Sequence, residues 1–177
     1  RQLPWFRLCL ARGDVGLRNS LAGTEAVVTG AGRGLGRGVA LALAADGARV
    51  WVCDRTTEEL DETAAAIEQA GGQVQILRFD LTEIAACHEA ITEVKTKAVH
   101  LQVLVNAAAV LKEAEVAKTS SEDWTSTLAI NLTAPFVLTQ GFLPNMLEKG
   151  GSVINVSSRA GIAPFRGEAA YCASKYG

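Results

Sequence analysis

At 177 residues, with 49% apolar and 20% charged side chains, the chain suits a single folded domain with one buried core. A formal net charge of −2 excludes the basic balance expected of a nucleic-acid or anionic-membrane partner. No run of 18 apolar residues occurs, so no transmembrane helix is predicted.

Residues 1–20 stand apart. Arg1, Arg7, Arg12 and Arg18 face a single acid, Asp14, and Arg7 interrupts the apolar stretch from Pro4 to Leu10 before it reaches signal-peptide length. Ser20 is the only serine there, which fits a mitochondrial transit segment poorly. The stretch reads as a flexible N-terminal extension ahead of a domain over residues 21–177.

The domain opens with an apolar strand, Ala26-Val27-Val28, followed by Thr29-Gly30-Ala31-Gly32-Arg33-Gly34-Leu35-Gly36 and a small-residue helical run, Val39 to Ala44. Strand, glycine turn and helix form the context a dinucleotide fingerprint requires. Glycines permit the tight turn and let the backbone approach a pyrophosphate at the positive end of the helix. Gly30, Arg33, Gly34, Leu35 and Gly36 are therefore candidate cofactor contacts. The next strand, Ala48 to Cys53, ends at Asp54, whose carboxylate is placed to bond both ribose hydroxyls of an adenosine. Asp54 would repel the extra phosphate of NADP and so argues for NAD. Arg33 and Arg55 argue the other way, since either is able to pair with that phosphate.

Further along, Thr56-Thr57-Glu58-Glu59 suggests a capping-box start to a helix that runs to about Ala70, where Gly71-Gly72 ends it. Val74 to Phe79 reads as a third strand, Thr82 to about Val94 as a helix, and Lys112 to Lys118 as an irregular link. Ser120-Ser121-Glu122-Asp123 opens the longest helix, predicted to pass through Asn131 to about Leu147 with kinks or breaks at Pro135 and Pro144. Ser152 to Val156 is a fifth strand that delivers Ser158 at its carboxyl end, where open α/β sheets bind ligands. This alternation predicts an α/β fold: a doubly wound parallel sheet of the Rossmann kind in three α/β/α layers.

Tyr171 and Lys175 stand four apart, which on a helix places them on one face. A cation beside a phenol favours its ionised form. With the Ser158 hydroxyl, the pair is equipped to move a proton onto or off a carbonyl oxygen. Cys9, Cys53, Cys87 and Cys172 show no clustering or CxxC spacing, and His88 and His100 are scattered, so no metal site is expected. A thiol at Cys53, in a predicted buried strand, suits a reducing compartment, and the localisation expected is cytoplasmic.

In order along the chain, these pieces resemble the short-chain dehydrogenase/reductase family. Thr29 to Gly36 is similar to its TGxxxGxG loop, Asp80-Leu81 to its adenine-contacting pair, and Asn106-Ala107-Ala108-Ala109 to its NNAG segment. Asn131, Ser158, Tyr171 and Lys175 match its four catalytic positions. The resemblance implies an oxidoreductase that transfers hydride between NAD and a small alcohol or ketone, with Tyr171 as general acid in reduction and general base in oxidation. Ser158 would bond the substrate oxygen, and Lys175 would tune Tyr171 and bond the nicotinamide ribose. Asn131 would hold a water linking Lys175 to solvent. Homodimers or homotetramers through the two long helices are also implied.

Two alternatives accompany this reading: an NADP-dependent carbonyl or 3-oxoacyl thioester reductase, and a non-catalytic nucleotide-binding fragment. Ala109 stands where the family's segment has glycine, so its methyl group is expected to crowd the nicotinamide half of the site. The chain starts at Arg1 and ends two residues beyond Lys175. It is therefore expected to be a fragment lacking the last strands and the loop that covers the substrate.

Overall fold

The computed structural model describes residues 20–177. The extension read over residues 1–20 falls, apart from Ser20, outside the described residues, as does Cys9. Five strands, β1 (Glu25–Thr29), β2 (Arg49–Asp54), β3 (Gln73–Arg78), β4 (Leu101–Asn106) and β5 (Ser152–Asn155), form one sheet in the order β3-β2-β1-β4-β5. Every pairing is parallel. The chain first winds outward from β1 to β3, then crosses back to β4 beside β1. The order reverses between β1 and β4, which leaves a crevice at their carboxyl ends.

Strand periodicity builds the layers. Val27, Trp51, Cys53 and Leu104 point to one face, where they pack with Ile91 and Val94 of α3 (Ile84–Lys97) and Leu138, Phe142 and Met146 of α5 (Ala134–Lys149). Their neighbours Val28, Val50, Val52 and Val105 point to the other face, against Ala40 and Ala44 of α1 (Gly34–Ala45) and Leu60 and Ile67 of α2 (Thr57–Gln69). Alternate side chains on opposite faces follow from the two-residue repeat of a strand. Both faces of the sheet are therefore covered over its central strands β1, β2 and β4, as parallel sheets require. At one edge, among the described residues, β5 pairs only with β4, and Ile154 is exposed.

Some local expectations change. Thr56 is the N-cap of α2, but its side chain makes no capping bond, so the capping box does not form. The helix expected from Thr82 begins at Ile84, because Thr82 instead donates its N–H and hydroxyl to Asp80 Oδ1, at 2.9 and 2.8 Å. The long helix after Ser120 is three pieces in continuous array: α4 (Ser121–Leu128), a π-helical turn (Ala129–Thr133) and α5. Ser120 caps it by accepting from Asp123 N at 3.0 Å. The irregularity lies just ahead of Pro135, whereas Pro144 sits within regular α5.

One buried charge was not anticipated. Glu25, at the amino end of β1, accepts from Trp51 Nε1 at 2.8 Å and from the Val99 backbone N–H at 2.7 Å. The Arg49 guanidinium lies 3.9 Å away. The carboxylate thus fastens β1 and β2 to the segment entering β4, at the end of the sheet away from the crevice.

Candidate active site

The turn after β1 is shaped by its glycines. Gly30 has φ +65° and Gly34 φ +57°, conformations that cost little without a Cβ. A Cβ on Gly36 would collide with the Gly30 carbonyl, and one on Gly30 would come within 2.7 Å of Ala108 Cα. The turn is therefore packed tightly between β1 and the loop after β4, while helix α1 starts at its mouth.

That helix start is chemically available. Its N-cap, Arg33, makes no side-chain capping bond, and its first turn contains no acidic residue. Leading N–H groups of an α-helix lack intrahelical partners, and the helix dipole makes that end attractive to anions. They open onto a groove lined by Gly30, Leu35, Gly36, Asp54, Asp80 and Leu81, with Ala107 to Val110 opposite. The described residues fit the pyrophosphate and adenosine of a dinucleotide.

Asp54 stands at the carboxyl end of β2 with Oδ2 accepting from Gly32 N at 3.2 Å and Oδ1 from Arg55 N at 2.8 Å. The Asp80 carboxyl is held below the usual carboxylate range, chiefly by the Thr82 backbone N–H, with help from the Thr82 hydroxyl and the Arg55 guanidinium 3.6 Å away. Ala109 is exposed on the groove, and the tight contact with the glycine turn belongs instead to Ala108.

From the glycine turn a chain of contacts leads to the helix α6 (Ala169–Tyr176), which carries Tyr171 and Lys175. Thr29 Oγ1 accepts from Ala107 N and Ala108 N, at 3.1 and 3.2 Å, holding the loop after β4. Asn131 then grips the same loop: Oδ1 accepts from Val110 N and Nδ2 donates to Val110 O, both at 2.9 Å. Nδ2 also donates to Ser174 Oγ at 3.0 Å, and Ser174 Oγ donates to Tyr171 O at 2.8 Å. The side chain of Asn131 is thus committed to structure. Pro135, four residues on, has no N–H and so cannot donate to the Asn131 carbonyl.

Lys175 reaches across to the segment just after β5 and donates to the Val156 carbonyl at 2.8 Å, with its ammonium 5.8 Å from the centre of the Tyr171 ring. Burial pushes the amine below its usual 10.5. The same amine, Asn131, Pro135 and Asn155 line a recess beside β5. Ser158 follows β5 and accepts from Ala160 N at 3.2 Å, in a turn that abuts the Lys175 carbonyl at Gly161. Among the described residues no hydrogen bond joins Ser158 to Tyr171. Asn106 ends β4 and donates to Asn155 Oδ1 at 2.8 Å. Cys53 is buried behind Asp54, and burial, reinforced by the Asp54 charge, raises its thiol strongly.

The sequence reading missed Thr29, Ser174 and Asn155 as members of this framework. Ser174 alone carried a local signal, since it lies three residues from Tyr171 on the same helix. The other two acquire partners only through strand pairing.

A parallel sheet with an uncapped glycine turn at its switch point and an acid ending the next strand defines a dinucleotide-binding Rossmann domain. Comparison with known proteins narrows the class: the short chain dehydrogenase model matches residues 24–177, and the chain belongs to that family. It is 35% identical over 160 residues to the 2,5-dichloro-2,5-cyclohexadiene-1,4-diol dehydrogenase of Sphingobium indicum, covering 90% of this chain and 64% of that protein. It is 36% identical over 158 residues to the D-threitol dehydrogenase of Mycolicibacterium smegmatis, covering 89% and 61%. A metagenomic short-chain oxidoreductase solved in complex with NADP superposes with a TM-score of 0.86 at 39% identity, covering 89% of this chain and 72% of that one. The chain therefore spans less than two thirds of the length of these two dehydrogenases.

Proposed function

We propose that the chain carries the cofactor-binding and catalytic part of an oxidoreductase that interconverts an alcohol and a ketone with NAD. The observation that carries this is the placement of Lys175, anchored on Val156 at the end of β5 and 5.8 Å from the Tyr171 ring. It sits on a helix tied through Asn131 to the loop packed on the glycine turn.

In this reading the N–H groups of Gly34, Leu35 and Gly36 hold the pyrophosphate and Asp54 the adenosine ribose. Asp80 and Leu81 border the adenine, Asn106 orders the end of β4, and Gly30 and Arg33 complete the turn. Tyr171 and Lys175 hold the nicotinamide ribose. A bound nicotinamide supplies or accepts the hydride; the protein's work is orientation and proton transfer. Ser158 donates to the substrate oxygen, and the Tyr171 hydroxyl gives that oxygen a proton in reduction or removes one in oxidation. The Lys175 ammonium faces the charge that develops on the phenol oxygen. A water on the Asn131 carbonyl, in the recess shared with Lys175, would relay the replacement proton.

Asp54 supports NAD. A second reading, NADP, is favoured by Arg33 and Arg55 and by the NADP in the metagenomic relative. The buried thiols of Cys53 and Cys87 support a reducing, cytoplasmic setting. Exposed Phe136 and Leu147 on α5 support a homodimer or homotetramer.

The test uses the full-length protein. Fluorescence titration should give tighter binding of NADH than of NADPH, and the reverse order would replace NAD by NADP. Tyr171→Phe should lower turnover about 10²–10⁴-fold while NADH binding persists. Unchanged turnover would remove Tyr171 from the mechanism.

A further inference from the structure

Beyond the glycine turn the cofactor groove is lined by five charged side chains: Arg33, Asp54, Arg55, Glu59 and Asp80. Each arginine already has an acidic neighbour. The Arg33 guanidinium is 3.8 Å from Glu59, and that of Arg55 is 3.6 Å from Asp80. Arginines near this ribose are the groups able to receive a 2′-phosphate, so pairing with acids reduces what they offer it.

Glu59 does more than face Arg33. A Cβ built on Gly32 would stand 3.1 Å from Asp54 Oδ2 and 3.3 Å from Glu59 Oε2. Two carboxylates, one from the end of β2 and one from the first turn of α2, thus close on a single point above the glycine turn. Asp54 is held at its side chain, and Glu59 at its backbone. Asp54 is fixed by the N–H groups of Gly32 and Arg55. The first turn of α2 is fastened by the buried Thr63 hydroxyl, which lies 3.0 Å from the Glu59 carbonyl, 3.0 Å from that of Ala31 and 3.2 Å from that of Gly32.

We propose that Glu59 is a specificity-determining residue, a second carboxylate beside Asp54 that disfavours a phosphate on the adenosine 2′ oxygen and draws Arg33 away from it. The proposal rests on the dinucleotide-binding reading above. A ribose hydroxyl is a neutral donor and tolerates two acceptors, whereas a phosphate monoester brings between one and two negative charges at neutral pH. Rejection of the phosphorylated nucleotide is then set by repulsion from two sources and by one withheld cation. Specificity for NAD is distributed between two elements.

The experiment is a titration of the full-length protein, its Glu59→Gln variant and the Glu59→Gln/Arg33→Ala pair with NADH and NADPH. Circular dichroism and thermal melting check folding. Glu59→Gln should lower the NADPH-to-NADH ratio of dissociation constants about tenfold, with a smaller change at high salt, where exposed charges are screened. Adding Arg33→Ala should reverse part of that gain. Glu59→Asp, which keeps the charge on a shorter arm, should stay nearer the wild-type ratio than Glu59→Gln does. If both nucleotides still bind and Glu59→Gln leaves the ratio unchanged, the selector role is wrong while the function stands. An equal loss of affinity for both nucleotides in a folded Glu59→Gln protein would also overturn it, by making Glu59 a general binding residue. A wild-type protein that bound neither nucleotide would overturn the function itself and this inference with it.

Discussion

The amide of Asn131 donates a buried hydrogen bond to the hydroxyl of Ser174 at 3.0 Å, joining the π-helical turn to the helix of Tyr171 and Lys175 across 43 positions of sequence. The same amide closes a pair of 2.9 Å bonds with Val110. One side chain therefore sets the spacing between the loop beside the glycine turn and the helix that carries the proton-transfer groups. Asn131→Ala would leave the Val110 N–H and carbonyl unpaired in a partly buried setting, at a cost of about 2–4 kcal/mol. Ser174→Ala should cost about 1 kcal/mol. Urea unfolding of the two variants and their double mutant checks this: non-additive losses are expected, because the residues touch.

Glu25 gives a prediction remote from the site. Glu25→Ala orphans the indole N–H of the buried Trp51 and the Val99 backbone N–H. Each bond has a charged acceptor, so the loss should be about 2–5 kcal/mol. Glu25→Gln keeps one acceptor and should lose less. Denaturant unfolding measures both, and nucleotide binding by folded Glu25→Gln should be retained, because Glu25 lies at the opposite end of the sheet.

The glycines of the turn should differ sharply in tolerance. Gly36→Ala forces a methyl group into the Gly30 carbonyl, and backbone must move. Gly34→Ala meets open space and carries only the strain of φ +57°, about 1–2 kcal/mol. Thermal melts and NADH titrations should show Gly36→Ala severely impaired in both and Gly34→Ala mildly impaired in stability. Equal effects would mean that the turn is looser than its contacts indicate.

Lys175 links stability to pH. Burial holds its folded pKa below the unfolded 10.5, so between those two values the unfolded chain binds more protons and stability rises with pH. The penalty for burying the charge is complete below the folded pKa and vanishes above 10.5. Lys175→Met lacks this contribution. Wild-type stability relative to Lys175→Met should therefore increase as pH is raised through the alkaline range toward 10.5. Urea midpoints at a series of pH values test the sign, and a relative decrease would be inconsistent with a desolvated amine.

What could be read along the chain was what short stretches dictate. Thr29 to Gly36 announced its turn because positive φ at Gly30 and Gly34 is a local demand. Asp54 announced its place because it ends a continuous apolar strand, and Tyr171 and Lys175 announced a shared face because four residues make about one helical turn. The parallel, doubly wound architecture followed from alternating strands and helices. Family resemblance, rather than spacing, singled out Asn131.

Tertiary structure alone decided the partners. It made Asn131 a clamp between Val110 and Ser174, gave Glu25 the indole of Trp51, and set Glu59 beside Asp54 over Gly32. It also moved the irregularity of the long helix to the turn around Asn131. Those relationships depend on strand order and register, which bring residues far apart in sequence to within a few ångströms. Backbone preferences act over one turn or one strand, so they fix local conformation; the choice of a distant hydrogen-bond partner arises only when the packed sheet excludes water and every buried polar group must find one.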